Sequence, residues 1–356
     1  GSYNTFVGSS AGVGGTTSAP FSSGQLNTAV GANALDNFTT GGNNTAIGYG
    51  TLGNLNTGVS NTALGRDAGA SLSSTSYTVL LGQDAGNTIT STDANGAVYV
   101  GAFSGLVLNG AGNIAIGYSS MKVHTTGHSN IAIGYEAMDD TDAGSTSSDS
   151  DHNIAIGRNS MGGTWANAKS ENNIAIGNNT MDGALNTAAY NMALGHYVLT
   201  NLTEGNSNIG IGWAAAENIT TGDSNIIIGR QAGDSLTTKS GMLAIGGGAL
   251  GAVSTTGGDY TIAIGYGAMG GAEIGDGNIA IGYQSMQNAN AAGFHRNIAI
   301  GYQTMANVGS NSAADNIAIG YQALNDINGS ALGNVAIGSY SGDAITSGDY
   351  NVSIGE

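Results

Sequence analysis

The chain has 356 residues, including 62 glycines, one proline and no cysteine, and its formal net charge is −17. Hydrophobic residues make up 40% and charged residues 9%, so the chain can bury a core and is not disordered through charge repulsion. The negative charge disfavours nucleic acid and anionic membranes as partners, and the lack of cysteine excludes disulfide frameworks and thiolate metal sites. No run of the sequence is apolar over the length that a bilayer requires.

One short pattern recurs along the whole chain. It reads Asn-x-Ala-Ile-Gly, as in NIAIGYSSM from Asn113, NIAIGYEAM from Asn130 and NIAIGYQAL from Asn316. Counting each copy from its last glycine, the anchor glycine, gives 20 repeats, and 9 of the 19 spacings equal 17 residues while the others span 16 to 23. The anchor glycines are Gly8, Gly31, Gly48, Gly65, Gly82, Gly101, Gly117, Gly134, Gly157, Gly177, Gly195, Gly212, Gly229, Gly246, Gly265, Gly282, Gly301, Gly320, Gly338 and Gly355. A fixed period of this length predicts stacked structural repeats.

Each repeat begins with a predicted short strand. The residue before the anchor is Ile, Leu or Val in every repeat, and the residue two positions earlier is Thr, Val, Ile, Leu or Met. Since side chains alternate along a strand, these two share one face, and the Asn and Ala of the pattern share the other. We expect the aliphatic face to be the buried one. The expected buried ladder includes Ile116, Ile156, Ile211, Ile264, Ile300 and Ile337.

After the anchor, each repeat continues with two further apolar positions and a turn. The fourth residue after the anchor is often Met, Leu or Gly, and the seventh is often apolar, as in Met121 and Leu108. Both are expected to point inward, and glycine-containing turns such as Thr-Thr-Gly at 220–222 follow. One such repeat cannot bury its own face, so the sequence predicts an all-β fold, a parallel β-solenoid of about 20 short coils with ladders of stacked Asn side chains. We expect a single repeat domain over 1–356 that is a segment of a longer fibre.

The repeat resembles a known class. NTAVGANAL from Asn27, NTAIGYGTL from Asn44 and NIAIGYQAL from Asn316 are similar to repeats of phage and bacterial tail-fibre-like proteins and to the N-S-V-A-I-G repeat of trimeric autotransporter adhesin heads. The resemblance implies a left-handed β-roll in which three chains lie side by side, on a virion or cell surface outside the cell, and bind host surfaces. This chain departs from the adhesin heads in its longer and more variable repeat.

No residue is assigned a catalytic, cofactor-binding or metal-binding role, so the chain is not expected to be an enzyme. A hexapeptide acyltransferase solenoid would need an aliphatic residue where this chain has Lys122 and Asp139. His124 and His128 have ligand-like spacing but lie in a turn with no fixed third ligand, and we interpret both as surface residues. The acidic stretch with Asp139, Asp140, Asp142, Asp149 and Asp151 offers oxygen ligands for Ca²⁺, although a solvated loop is the favoured interpretation.

Two functional hypotheses follow. The first is a structural fibre, shaft or head, that self-associates in parallel and in register through the small Ala face, as a homotrimer; the alternative is a single-chain solenoid. The second is a glycan- or receptor-binding adhesin head that uses the inserted loops 9–26 and 135–152. Tyrosines after the anchors are expected to stack between coils, with sugar stacking as the alternative. Ice binding is disfavoured, because Thr28, Thr45 and Thr62 occupy a position that we take as inward and that becomes Ile from Ile114 onward.

Overall fold

The fold is a stack of coils with one strand in each. A computed structural model describes residues 1–15, 22–90, 94–124, 126–141, 149–165, 168–252, 258–271, 275–289, 293–309, 313–327 and 329–356. The described residues contain 20 strands of three residues, each ending just before an anchor glycine. In chain order they are β1 (Thr5–Val7), β2 (Thr28–Val30), β3 (Thr45–Ile47), β4 (Thr62–Leu64), β5 (Val79–Leu81), β6 (Val98–Val100), β7 (Ile114–Ile116), β8 (Ile131–Ile133), β9 (Ile154–Ile156), β10 (Ile174–Ile176), β11 (Met192–Leu194), β12 (Ile209–Ile211), β13 (Ile226–Ile228), β14 (Leu243–Ile245), β15 (Ile262–Ile264), β16 (Ile279–Ile281), β17 (Ile298–Ile300), β18 (Ile317–Ile319), β19 (Val335–Ile337) and β20 (Val352–Ile354). The predicted all-β parallel solenoid is confirmed.

The coils group into two compact segments. The first segment covers Gly1–Thr187 and contains β1 to β10, and the second covers Ala188–Glu356 and contains β11 to β20. Within each segment, every strand pairs in parallel with the next one in the chain, and equivalent residues face each other, as Ala155 faces Ala175. At about 4.8 Å between strands, ten strands extend over about 43 Å in each segment. The single domain over 1–356 stays a prediction.

The inward face of the strands is the opposite of the expected one. All strand alanines have 0% exposure, and the flanking aliphatic residues point outward. The buried alanines are Ala29, Ala46, Ala63, Ala115, Ala132, Ala155, Ala175, Ala193, Ala244, Ala263, Ala280, Ala299, Ala318 and Ala336. Of the six isoleucines predicted as a buried ladder, Ile116, Ile300 and Ile337 are 36–38% exposed. The other three, Ile156, Ile211 and Ile264, are half-buried. The predictions of a buried Ile ladder and of an outward Ala face are therefore wrong.

A narrow interior explains this reversal. The fourth and seventh residues after the anchor do face inward, as predicted, and the fourth residues Leu35 and Met121 and the seventh residue Leu108 are fully buried. In coils where a long side chain at the fourth position fills the interior, the strand on the opposite side has room only for Ala. Where the central strand residue is larger, the fourth position after the anchor is Gly instead: Tyr99 is matched by Gly105, and a Cβ on Gly105 would lie 2.7 Å from the Tyr99 ring.

The same compensation recurs in three more coils. Phe6 is matched by Gly12, Leu80 by Gly86 and Ile227 by Gly233. In each of these three, a Cβ on the glycine would come within 3.1 Å of the central strand side chain, or closer. In these coils the central strand residue and the fourth residue after the anchor therefore share one space, and a large residue at the first position requires Gly at the second.

The anchor glycine is fixed by two separate constraints. Its φ lies between 124° and 146° in every coil, a region that only glycine adopts without strain. A Cβ on Gly157 would also lie 2.2 Å from the carbonyl oxygen of Gly177 in the next coil. The corner after each strand therefore depends on glycine both for its backbone angles and for the close stacking of adjacent coils.

Two neighbouring residues test the assignment of inside and outside. Ala155→Asp is expected to destabilise the first segment by several kcal/mol, because it places an unpaired charge in the closed interior. Ile156→Asp, one position along, is expected to cost only about 1 kcal/mol, because the side chain remains in contact with solvent. Denaturation followed by circular dichroism, at a concentration where the chain is monomeric, measures both. A larger loss for Ile156→Asp than for Ala155→Asp would restore the original assignment.

Candidate interaction surface

The outward residues of the strands form a continuous apolar surface. We define the aliphatic strip as the first and third residues of each strand, two parallel columns along each segment. The third residue is Val, Ile or Leu in all 20 strands, and neither column contains a charged residue. The first column begins with Thr5, Thr28, Thr45 and Thr62 and is aliphatic or Met in every later strand. These threonines point outward, so the prediction that they point inward, which disfavoured ice binding, is wrong. An outward Thr array is nevertheless limited to the first four coils.

Behind the strip, a buried ladder of asparagines joins the coils. In most pairs of consecutive ladder asparagines, the Oδ1 of one Asn accepts hydrogen bonds from the backbone N–H and the side-chain amide of the next, as in Asn27 to Asn44 at 2.9 and 3.1 Å. The amide of each Asn also donates to a turn carbonyl, as Asn44 does to Gly58 at 2.9 Å. The predicted Asn ladder is confirmed. It satisfies polar groups that the turn before each strand would otherwise bury without partners.

Tyrosines after the anchor form a second ladder, on the surface. In the second segment, the ring centroids of Tyr266, Tyr283, Tyr302 and Tyr321 follow one another at 5.7, 5.0 and 5.3 Å. The ring planes are within 13° of parallel, so each ring covers the face of the next. The predicted stacking between coils is confirmed. Because sugars stack on ring faces and these faces are occupied, the ladder presents ring edges and hydroxyls instead.

Acidic side chains lie at the turns and link coils there. The residue two positions before the ladder position uses its side chain to accept a hydrogen bond from a backbone N–H of the preceding coil. Asp223 accepts from Asn206 at 2.7 Å, and Asp259 accepts from Ser240 at 3.1 Å. Part of the net charge of −17 therefore sits at these turns, three residues before the first residue of the strand that follows.

The acidic stretch considered for Ca²⁺ directs its carboxylates into such contacts. Asp149 accepts from the Thr126 hydroxyl at 2.6 Å, Asp151 accepts from the His128 N–H at 2.7 Å, and Asp140 accepts from Thr164. Burial, with Glu136 and Asp140 nearby, raises the pKa of Asp139 to about 6. Asp142 and most of the loop lie outside the described residues. Within the part of the chain that the structure describes, no three His, Asp or Glu side chains converge as metal ligands would.

The two histidines with ligand-like spacing occupy different environments. His128 is exposed, as predicted, and its Nδ1 accepts the Ala111 N–H at 3.0 Å. His124 is fully buried, so its assignment to the surface is wrong. It is the seventh residue after Gly117, and this position faces inward in other coils. Counting seven residues from the anchor glycine would have predicted that His124 points inward.

Comparisons with known proteins give no family for this chain. No family model matches it, and neither the curated proteins nor the solved structures contain a match. The resemblance to tail-fibre and adhesin-head repeats therefore stays a prediction from the repeat sequence. Among the described residues, no helix has the length and apolar character needed to cross a bilayer.

Two threonines that replace Asn in the ladder differ in their hydrogen bonds. The Thr78 hydroxyl donates to Asn61 Oδ1 at 2.7 Å, whereas the Thr261 hydroxyl is buried without a partner. Thr78→Val is expected to lower the free energy of unfolding by about 1 kcal/mol, and Thr261→Val is expected to leave it unchanged or raise it slightly. Denaturant midpoints of the two variants check this. Equal losses would mean that the threonine hydroxyls contribute nothing specific to the ladder.

Proposed function

We propose that this chain is a structural repeat segment of an extracellular or virion fibre, shaft or head, whose copies associate side by side through the aliphatic strip. The proposed role is structural and requires no catalysis. The observation that supports it is the strip itself, which leaves an aliphatic residue outward on all 20 strands. A contribution of the fibre to attachment at a cell surface is part of this proposed role.

The size of the strip favours a covered surface. Two columns about 7 Å apart, widened by their side chains to about 10 Å and about 43 Å long, make about 400 Å² in each segment. The largest apolar patch on a typical monomer is about 300–600 Å², and such patches are often functional. A stable interface takes about 800 Å² per partner, so the strip of one segment would supply about half of it.

The pattern of substitution supports a second copy of the chain as the partner. A strand face in contact with water would be expected to gain Lys, Glu or Thr over many repeats, yet charge is absent from both columns. The rest of the chain carries the net charge of −17, which would oppose close contact anywhere else on the surface. The predicted association through the Ala row is replaced here by association through the aliphatic strip, with the homotrimer kept as the proposed state.

The threonines of the first column favour a parallel arrangement. In register, the Thr coils β1 to β4 of one copy would face the same coils of another copy, where hydroxyls can bond each other or share water. In an antiparallel arrangement of the first segments, Thr45 in β3 would face Ile131 in β8. Each hydroxyl buried against an aliphatic side chain without a partner would cost about 1–3 kcal/mol.

Light scattering tests the association. The chain is expected to have the mass of a trimer at micromolar concentration, and added salt should strengthen the association by screening like charges. The double variant Ile156→Asp and Ile264→Asp should be a folded monomer, because charges in the strip would be buried unpaired in the assembly. The double variant Asn37→Asp and Asn201→Asp, on exposed positions outside the strip, is the control and should remain assembled. A monomeric parent chain would contradict the proposal.

Disulfide cross-linking tests the polarity, and the chain has no cysteine to interfere. Under oxidation, the single variant Thr45→Cys is expected to cross-link with itself, because equivalent coils meet in a parallel, in-register assembly. A mixture of Thr45→Cys and Ile131→Cys chains should give no mixed product. Predominant mixed product would indicate an antiparallel assembly.

A further inference from the structure

One inward position of the first segment is occupied by an unusual pair of polar side chains. The seventh residue after the anchor is Leu108 in the coil of β6, but it is His124 in the coil of β7 and Thr141 in the coil of β8. Both polar residues have 0% exposure. A buried ionisable side chain in this position has no counterpart among the other described coils, and it lies directly beside the Asn ladder.

Hydrogen bonds fix the protonation state of the His124 ring. The Asn130 amide nitrogen lies 3.1 Å from His124 Nε2, and because this nitrogen can only donate, Nε2 must be an acceptor. The proton is then on Nδ1, which is 2.6 Å from the Thr141 hydroxyl oxygen and donates to it. His124 is therefore neutral, in a single tautomer.

Backbone partners fix the orientation of Asn130 in turn. Its amide nitrogen also donates to the Ser150 carbonyl at 2.9 Å, and its Oδ1 accepts the Asn153 backbone N–H at 2.8 Å. If Asn130 rotated to offer Oδ1 to His124, its amide nitrogen would face the Asn153 N–H and the bond to Ser150 would be lost. The ladder and a protonated His124 are thus incompatible.

We propose that His124 is an acid-sensitive switch in the first segment: its protonation places two donors against each other and opens the Asn ladder between the coils of β7, β8 and β9. The proposal is independent of the fibre role and of self-association, since every group involved lies inside one chain. It predicts a local loosening of these coils as the medium becomes acidic.

The direction of the pH effect follows from burial. Burial lowers the pKa of His124 from 6.5 to about 4, with the Asp151 charge acting to raise it and His128 to lower it. The folded state then binds fewer protons than the open state, so stability is complete above about pH 6.5 and declines as the pH falls towards 4. Asp139 contributes the opposite trend, because a pKa raised to about 6 favours its protonated, folded form in acid.

Hydrogen exchange measured by mass spectrometry on the full chain tests the switch. Protection of the amides in β8 and β9, corrected for intrinsic exchange, is expected to fall by about 100-fold between pH 7 and pH 4. His124→Leu, which installs the residue of the preceding coil, should abolish this fall. His128→Asn should retain it, because Asn95 and Asn206 act as acceptors at the same position in other coils. The contribution of Asp139 is common to all three proteins.

The outcomes separate the proposal from a general acid effect. A fall that persists in His124→Leu, or its absence from the parent chain, would overturn the switch. If His124→Leu does not fold, nuclear magnetic resonance of isotope-labelled histidine in the parent chain decides. One ring should carry its proton on Nδ1 and titrate near pH 4, well below the ordinary range of histidine. A set of five rings with ordinary titration, or a buried ring protonated on Nε2, would refute it.

Discussion

The limited space inside one coil is the constraint on which the rest of the structure depends. The fourth and seventh residues after the anchor glycine fill the interior, so the strand that closes the coil can turn only a small side chain inward. Tyr99 is accommodated because Gly105 leaves the space free, and Ala155 is typical of coils in which Met or Leu takes that space. Both aliphatic neighbours of the central residue must then point outward, and the apolar surface follows from the packing.

Stacking is held in register by polar groups rather than by the strands alone. Three-residue strands provide few ladder hydrogen bonds, and the buried Asn side chains extend the pairing into the turn before each strand by bonding to both a neighbouring Asn and a turn carbonyl. Outside, Asp223 and its equivalents add a second set of contacts between coils. Because each ladder is repetitive, one atypical member such as His124 changes the local chemistry without changing the fold.

The sequence was sufficient to predict the solenoid, the strand positions, the Asn ladder and the Tyr stacking, because each depends on the period and on residue type. It did not settle which strand face is buried, since alternation separates two faces without saying which is inside. The general preference for buried Ile favoured the wrong one. The pairing of a large central strand residue with Gly at the fourth position after the anchor, as in Leu80 with Gly86, indicated that the central residue points inward. His124 was assigned to the surface because its neighbours in the turn are polar, whereas its burial depends on its position within the coil.

Thiol reactivity provides the most direct test of the central claim, that the strand alanines line the interior and the aliphatic residues form the contact surface. In single variants of this cysteine-free chain, Ala155→Cys should stay unreactive towards a soluble thiol reagent at every concentration at which the chain is folded. Ile156→Cys should react readily in dilute monomer and become protected as the chains assemble. A reactive Ala155→Cys beside an Ile156→Cys that is protected even in the monomer would contradict the account.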